Sequence, residues 1–195
     1  MPVGLNPRNI QILEKYNFQH LADNLYGRLN VIENMKIIRT TFLFIVLFIP
    51  GWIYSQSTAS IVSFDQLQGR ITDSRKELTV VNFWATWCAP CIKELPYFEA
   101  AFKENADRMD LILVNLDFAD KIDKVNTFIN KKALTGEVLL LDNIDYNSWI
   151  DKVDPSWSGA IPATLFINAR TGERKLVEGE MSEGELSTHL NEMIN

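Results

Sequence analysis

The two cysteines of this 195-residue chain, Cys88 and Cys91, are separated only by Ala89 and Pro90. They follow an apolar run that predicts a buried strand, and they open a helical pattern. At a helix N-terminus a sulfur meets free amide N–H groups and the positive end of the helix dipole, and both favour thiolate over thiol. We therefore expect Cys88 to be the nucleophile and Cys91, one turn further in, to resolve the mixed disulfide.

Two other uses of a Cys-x-x-Cys pair have to be weighed against this chemistry. A purely structural disulfide is disfavoured, because closing so short a loop removes little entropy from the unfolded chain. Half of a zinc site has the same spacing, but zinc takes about four ligands. The two histidines that could act as further ligands are His20, in the N-terminal segment, and His189, in the last predicted helix. We predict no metal and no cofactor.

Strands and helices alternate from about residue 60 onward. Strand–helix–strand units favour parallel pairing with right-handed crossovers, and the last two strands are close enough for an antiparallel hairpin. The sequence therefore predicts one α/β domain over residues 60–195, with a mixed central sheet and helices on both faces. The predicted strands cover residues 78–84, 110–117, 137–141, 163–168 and 174–178. The predicted helices cover residues 64–71 (a helix or turn), 89–105, 121–132 and 145–153, and a last helix is capped by Ser182 with Glu185 completing a capping box.

Residues 35–55 have the layout of a secretory signal peptide. Lys36 and Arg39 precede a thirteen-residue apolar core that runs from Phe42 to Tyr54. A core of about 7–15 residues is typical of a signal peptide, whereas a membrane-spanning helix needs roughly 20. We expect cleavage after Ser55; the alternative is an uncleaved signal that anchors the protein in the inner membrane through residues 37–54.

Residues 1–34 precede this signal-like segment, although signal peptides normally start at the N-terminus. We therefore expect Met35 to be the true initiator and residues 1–34 to be an upstream extension. The competing interpretation is a short cytoplasmic tail ahead of an anchor.

The charge of the chain is unevenly placed. The formal net charge of −6 divides into +2 for residues 1–55 and −8 for the remainder. Because nucleic-acid binding needs clustered Lys and Arg, the acidic body argues against a nucleic-acid partner.

The segment from Phe83 to Cys91 (FWATWCAPC), followed by Pro96, resembles the active-site segment of the thioredoxin superfamily. The run from Ile161 to Thr164 (IPAT), just before a predicted strand, resembles the cis-proline loop of the same superfamily. Together with the signal-like segment, the sequence of residues 82–96 (NFWATWCAPCIKELP) is similar to that of the TlpA/ResA-like branch of exported bacterial thiol–disulfide oxidoreductases. The resemblance implies a thioredoxin fold with an inserted segment before the cis-proline loop.

The resemblance also implies roles for residues around the cysteines. Pro162 is expected to follow a cis peptide bond, so that the backbone of Ile161 faces the nucleophile and pairs with an extended substrate. Trp87 is expected in an exposed apolar rim that binds substrate. The dipeptide Ala89-Pro90 is expected to tune the reduction potential.

One departure from thioredoxin itself points to an acid–base group. Thioredoxins carry an acidic residue where this chain has Asn82, and the TlpA/ResA-like branch has a glutamate where this chain has Glu94. We expect Glu94 to serve Cys91 as acid–base group, with its pKa raised if it is partly buried; the alternative is a solvated glutamate on the helix surface. Trp157 and Ser158 lie shortly before Pro162 and are candidates to line the substrate groove. The alternative for Trp157 is that it only covers a loop.

The resemblance implies a disulfide reductase in the periplasm or otherwise outside the cytoplasm. It would be a monomer that donates electrons to the disulfides of protein substrates and is recharged by a membrane thiol carrier. Two alternatives stay open: an oxidase or isomerase with the same chemistry, and a partner-binding module whose redox pair switches its contacts. A peroxidase is disfavoured, because the sequence shows no set of Thr and Arg residues that would activate a peroxide beside a lone cysteine. The substrate protein is not named by the sequence.

Overall fold

The computed structural model of the protein describes residues 26–28 and 57–194. The expectations for the signal-like segment 35–55 and for initiation at Met35 lie outside these residues. Residues 26–28 are helical and exposed. No helix within the two described ranges combines the length and apolar character needed to cross a membrane.

The compact unit that contains residues 57–194 is a six-stranded sheet covered by helices. Its strands are β1 (Ser60–Val62), β2 (Leu78–Trp84), β3 (Met109–Asn115), β4 (Glu137–Leu141), β5 (Ala163–Asn168) and β6 (Arg174–Glu178). Its helices are α1 (Phe64–Thr72), α2 (Ala89–Asn105), α3 (Ile122–Lys132), α4 (Ile150–Val153) and α5 (Glu183–Ile194). The strand order is β1-β4-β3-β2-β5-β6, so the extra strand ahead of the Ile161–Pro162 loop, β4, lies between β1 and β3.

The sheet is mixed, as predicted from the sequence. Strands β1 to β4 pair in parallel; β5 pairs antiparallel to β2, and the edge strand β6 pairs antiparallel to β5. One face packs against α2, α3 and α5, and the other packs against α1, α4 and the tryptophans of the 143–157 segment. A sheet that is apolar on both faces explains why every residue of β2 is buried.

Two elements differ from the prediction, and β3 ends at Asn115, two residues before the predicted end at Asp117. The predicted helix over residues 145–153 is broken into a 3₁₀ turn (Tyr146–Ser148) and the four-residue helix α4, because Trp149 between them has φ −134°. Its indole is buried in the core, and its N–H donates to the carbonyl of Asn143 at 3.1 Å. Strand β1 was not predicted, because three residues with two exposed side chains carry little periodicity.

The pairing of β2 determines where the cysteines lie. Trp84 at its carboxyl end is paired with Asn115 of β3, and Phe83 is paired with Ala163 of β5. Because β5 is antiparallel, the loop before it meets the loops after β2 and β3 at one edge of the sheet. Three segments distant in sequence therefore converge on Cys88.

Candidate active site

Cys88 caps the N-terminus of α2, as predicted. Its backbone is extended, and its Sγ accepts the N–H of Cys91 at 3.4 Å. Pro90 lies in the first turn, where a missing N–H costs the helix nothing. The two sulfurs form a disulfide in which Cys88 is 6% exposed and Cys91 is fully buried. Only the outer sulfur, that of Cys88, borders the surface, so the pair has the asymmetry that attack and resolution require.

The loop that carries Cys88 is held by a buried carboxylate, Asp117. The backbone N–H and the hydroxyl of Thr86 donate to its two oxygens at 2.7 and 2.6 Å, and Asn115 donates to it at 3.0 Å. The N–H of Cys88 then closes a turn onto the carbonyl of Ala85 at 3.1 Å. Our sequence analysis missed Asp117; the available signal was a carboxylate just beyond β3, at the sheet edge where β2 also ends.

The loop before β5 lies beside the disulfide. The Ile161–Pro162 peptide bond is cis, as the resemblance implied. The carbonyl oxygen of Ile161 lies 3.9 Å from the Sγ of Cys88. Pro162 itself is buried, and its carbonyl accepts the N–H of Gly179 at 2.8 Å. The backbone of Ile161 therefore faces the nucleophile.

The tryptophans near the site divide into one exposed and two buried side chains. Trp87, directly before Cys88, is 66% exposed, whereas Trp84 is fully buried. Trp157 packs against Phe83 with ring centroids 4.5 Å apart, and its indole N–H donates to the carbonyl of residue 160 at 2.9 Å. Trp87 is thus exposed, and Trp157 lies in the core and does not line an open groove.

Glu94 is completely buried on α2, three residues after Cys91. One carboxylate oxygen accepts the side-chain amide of Asn82 at 2.8 Å, and the other accepts the backbone N–H of Met181 at 2.8 Å. Burial raises the pKa of Glu94 to about 7, and the two hydrogen bonds offset only part of that shift. The interpretation as a solvated surface glutamate is therefore wrong.

Asn82 connects Glu94 to the strand that follows the cis-proline. Its Nδ2 also donates to the hydroxyl of Thr164 at 3.0 Å, and among the described residues its buried Oδ1 has no hydrogen-bond partner. Rotating this amide by 180° would present Oδ1 to Glu94, where a protonated carboxyl can donate to it. The network can thus accommodate both protonation states of Glu94.

These residues bring three chemical capacities to one edge of the sheet. Cys88 supplies a sulfur at a helix N-terminus, Cys91 a second sulfur within bonding distance, and Glu94 a carboxyl that changes protonation near neutral pH. Within residues 26–28 and 57–194, no three His, Cys, Asp or Glu side chains are grouped to hold a metal ion. The arrangement is suited to thiol–disulfide exchange.

Comparison with known proteins agrees with this geometry. Residues 60–172 match the AhpC/TSA family. The thioredoxin-like protein YneN of Bacillus subtilis (strain 168) is 38% identical over 81 residues, which cover 40% of this chain and 48% of that protein. The thiol-disulfide oxidoreductase ResA of Geobacillus thermodenitrificans (strain NG80-2) is 26% identical over 178 residues, which cover 81% of this chain and 95% of ResA. The chain thus spans about half the length of the first relative, and the ResA match confirms the predicted resemblance.

A solved structure agrees with the fold. The thioredoxin-related protein from Neisseria meningitidis serogroup B superposes with a TM-score of 0.55 at 22% sequence identity, covering 63% of this chain and 89% of that one. This likeness confirms the thioredoxin fold predicted from the sequence.

Proposed function

The chain belongs to the AhpC/TSA family, and we propose that it is a thiol–disulfide oxidoreductase, like its relative ResA, and that it reduces disulfides of other proteins. The observation that carries the proposal is the placement of the Cys88–Cys91 disulfide. It lies at the N-terminus of α2, with the Ile161 carbonyl 3.9 Å from the outer sulfur and a buried glutamate one turn further along the helix. A disulfide that served only stability would need none of these neighbours.

The reaction transfers two electrons to the partner protein. The Cys88 thiolate attacks one sulfur of the partner disulfide, and the other partner sulfur leaves as a thiolate. The Cys91 thiolate then attacks the Cys88 sulfur, which forms the Cys88–Cys91 disulfide and releases the second partner sulfur. The partner gains two electrons and two protons in all, and a dithiol carrier in the membrane would return the electrons to this protein.

Glu94 serves the second step. Cys91 must lose its proton before it can attack, and it is fully buried, so water cannot take that proton directly. A carboxyl one helical turn away with a pKa of about 7 can accept the proton and later donate it to a departing thiolate. Trp87 and the backbone of Ile161 are the surfaces that meet the partner, and Ala89-Pro90 tunes the reduction potential.

The site of action would lie outside the cytoplasm. The signal-like layout of residues 35–55 supports export, with residues 37–54 as the anchor if the signal is not cleaved. The protein would act as a monomer, since a single chain contains all the groups that the reaction uses.

Trapping with Cys91→Ala tests the exchange reaction. Without the resolving sulfur, the variant should retain partner proteins on Cys88 as mixed disulfides that dithiothreitol releases and mass spectrometry detects. The matched variant Cys88→Ala, which keeps the buried cysteine, should retain none. Equal recovery of adducts from both variants, or from neither, would overturn the proposal.

The reduction potential tests the direction of electron flow. A value near about −270 mV, as in thioredoxin, supports a reductase, whereas one near about −120 mV identifies an oxidant. The measurement is an equilibrium titration of the Cys88–Cys91 pair against glutathione or dithiothreitol buffers.

A further inference from the structure

Phe118 is an exposed aromatic residue that the proposed reaction does not use. It is 64% exposed in the loop after β3, and Trp87, 66% exposed, lies in the loop after β2. The two strands are parallel neighbours in which Trp84 is paired with Asn115. Each aromatic residue therefore lies three residues beyond a paired position, at the same edge of the sheet.

The backbone on both sides of Phe118 is held in place. Asp117, directly before it, accepts two hydrogen bonds from Thr86, the residue directly before Trp87. On the other side, the carbonyl of Phe118 accepts the N–H of Lys121 at 2.9 Å. Trp87 and Phe118 each directly follow one member of the hydrogen-bonded pair Thr86–Asp117. Binding to a surface on such fixed backbone costs less ordering entropy than binding to a flexible loop.

Cys88 lies between this loop and the cis-proline loop. The strand order β3-β2-β5 places the Phe118 loop on one side of the nucleophile and Ile161 on the other. In a mixed disulfide, the sulfur of the partner cysteine lies about 2 Å from the sulfur of Cys88. If partner residues on one side of that cysteine meet Ile161, the residues on its other side are directed towards Trp87 and Phe118.

We propose that Trp87 and Phe118 belong to one exposed aromatic surface that receives an apolar side chain next to the reactive cysteine of the partner protein. Phe118 is then a specificity-determining residue. Aromatic side chains bury large apolar areas with few rotatable bonds, which suits them to this role. The proposal rests on the thiol–disulfide exchange proposed above, because the mixed disulfide is what brings the partner to this surface.

The charge beside the surface favours a protein partner over a lipid bilayer. Residues 56–195 carry a net charge of −8, which repels the anionic headgroups of bacterial membranes. Three residues after Phe118, Lys121 is paired with Asp120 at 2.8 Å, so its charge is already compensated within the loop. A neutral apolar side chain needs no cationic patch.

Two peptides that differ at one position test the proposal. Each contains an intramolecular disulfide, with either Leu or Ser directly beside the cysteine that is attacked. The pre-reduced wild-type protein should react about fivefold to tenfold faster with the Leu peptide in single-turnover experiments, and Phe118→Ala should bring the ratio of the two rate constants close to one. Ile61→Ala is the matched control, because Ile61 is a 48% exposed apolar residue on β1, three strands from β2. It should keep the wild-type ratio.

Each other outcome overturns the inference. A wild-type ratio in Phe118→Ala, or an equal loss of the ratio in Ile61→Ala, shows that Phe118 does not set the preference. If the wild type reduces neither peptide, the proposed function fails and takes this inference with it; if it reduces both equally, this inference alone fails. Sedimentation with phosphatidylglycerol–phosphatidylethanolamine vesicles that depends on Phe118, with no change in the peptide ratio, would identify a membrane as the occupant.

Discussion

Helix α2 carries two buried glutamates, Glu94 and Glu99, in different surroundings. Glu94 accepts one hydrogen bond on each oxygen, from Asn82 and from the backbone of Met181. Glu99 accepts the N–H and the hydroxyl of Thr135 and the N–H of residue 136, all from the single turn that joins α3 to β4. At Glu94 burial outweighs the hydrogen bonds and raises the pKa to about 7.

Burial of a carboxyl group therefore does not by itself reveal its role. Glu99 uses its hydrogen bonds to close a turn, so we assign it a structural role. Glu94 has few donors and lies one turn from Cys91, which leaves it free to gain and lose a proton near neutral pH. Glu99 is therefore the matched control for every test of Glu94.

Replacing Glu94 should change the pH dependence of stability more than any other property. The folded-state pKa of Glu94, about 7, is higher than its ordinary value of 4.5, so between these values the folded protein binds the proton more tightly than the unfolded chain. The unfolding free energy of the oxidised wild type should therefore fall as pH rises from 4.5 to above 7. The fall should be about 3 kcal/mol greater than in Glu94→Gln, since one pKa unit is about 1.4 kcal/mol.

Urea unfolding of the oxidised proteins across this pH range measures the difference. Glu99→Gln should keep the wild-type slope, because Glu94 is intact there. Parallel stability curves for the wild type and Glu94→Gln would contradict the raised pKa.

The next effect is on exchange kinetics. Glu94→Gln should slow the resolution of a mixed disulfide roughly tenfold to a hundredfold near neutral pH and remove the inflection near pH 7, because Cys91 loses its proton acceptor. Stopped-flow fluorescence with a disulfide peptide follows this step. Glu99→Gln should resolve the mixed disulfide at the wild-type rate, and an equal slowing in both variants would assign the effect to the structure of α2.

A smaller effect is expected on the stability of Glu99→Gln itself. A glutamine places an amide group against the donors of Thr135 and removes the charge that they share, which should lower the unfolding free energy by about 1–2 kcal/mol at pH 7. The urea midpoint measures the loss. Unchanged stability would show that the α3–β4 turn does not depend on Glu99.

The smallest effect concerns Glu180, whose negative charge contributes to raising the pKa of Glu94. Glu180 is ion-paired with Lys93 and partly exposed, so salt screens its influence. Glu180→Gln should move the kinetic inflection of Glu94 to lower pH by a few tenths of a unit. The shift should shrink in about 0.5 M salt, and a move to higher pH would contradict the assignment.

The redox end of the molecule was largely predictable, because local sequence determines it. An apolar strand followed by Cys88 and a first-turn proline specifies where α2 begins. The resemblance then supplied the cis bond before Pro162 and the exposure of Trp87. The last helix was also predictable from its capping box, in which Ser182 and Glu185 exchange hydrogen bonds.

The surroundings of the carboxylates were not predictable. The sequence did not decide whether Glu94 is a buried acid–base group or a solvated surface residue, because its spacing from Cys91 does not reveal its surroundings. Met181, whose backbone N–H donates to Glu94, lies 87 residues later. Asp117 was missed for a similar reason, since Thr86, which donates to it, is 31 residues away. Phe118 was missed because nothing in the local sequence distinguishes an exposed aromatic residue beside a site from one elsewhere.

Local sequence specifies the reactive pair, the helix that begins at Cys88 and the alternation of strands and helices, since each follows from neighbours within a few positions. Which carboxyl group is buried one turn from Cys91, and which residues flank the nucleophile, depends on tertiary packing. Desolvation and hydrogen bonding at Glu94 come from the packing of β2, β5 and the loop before α5 around α2, and such packing acts over distances in sequence that local patterns do not encode.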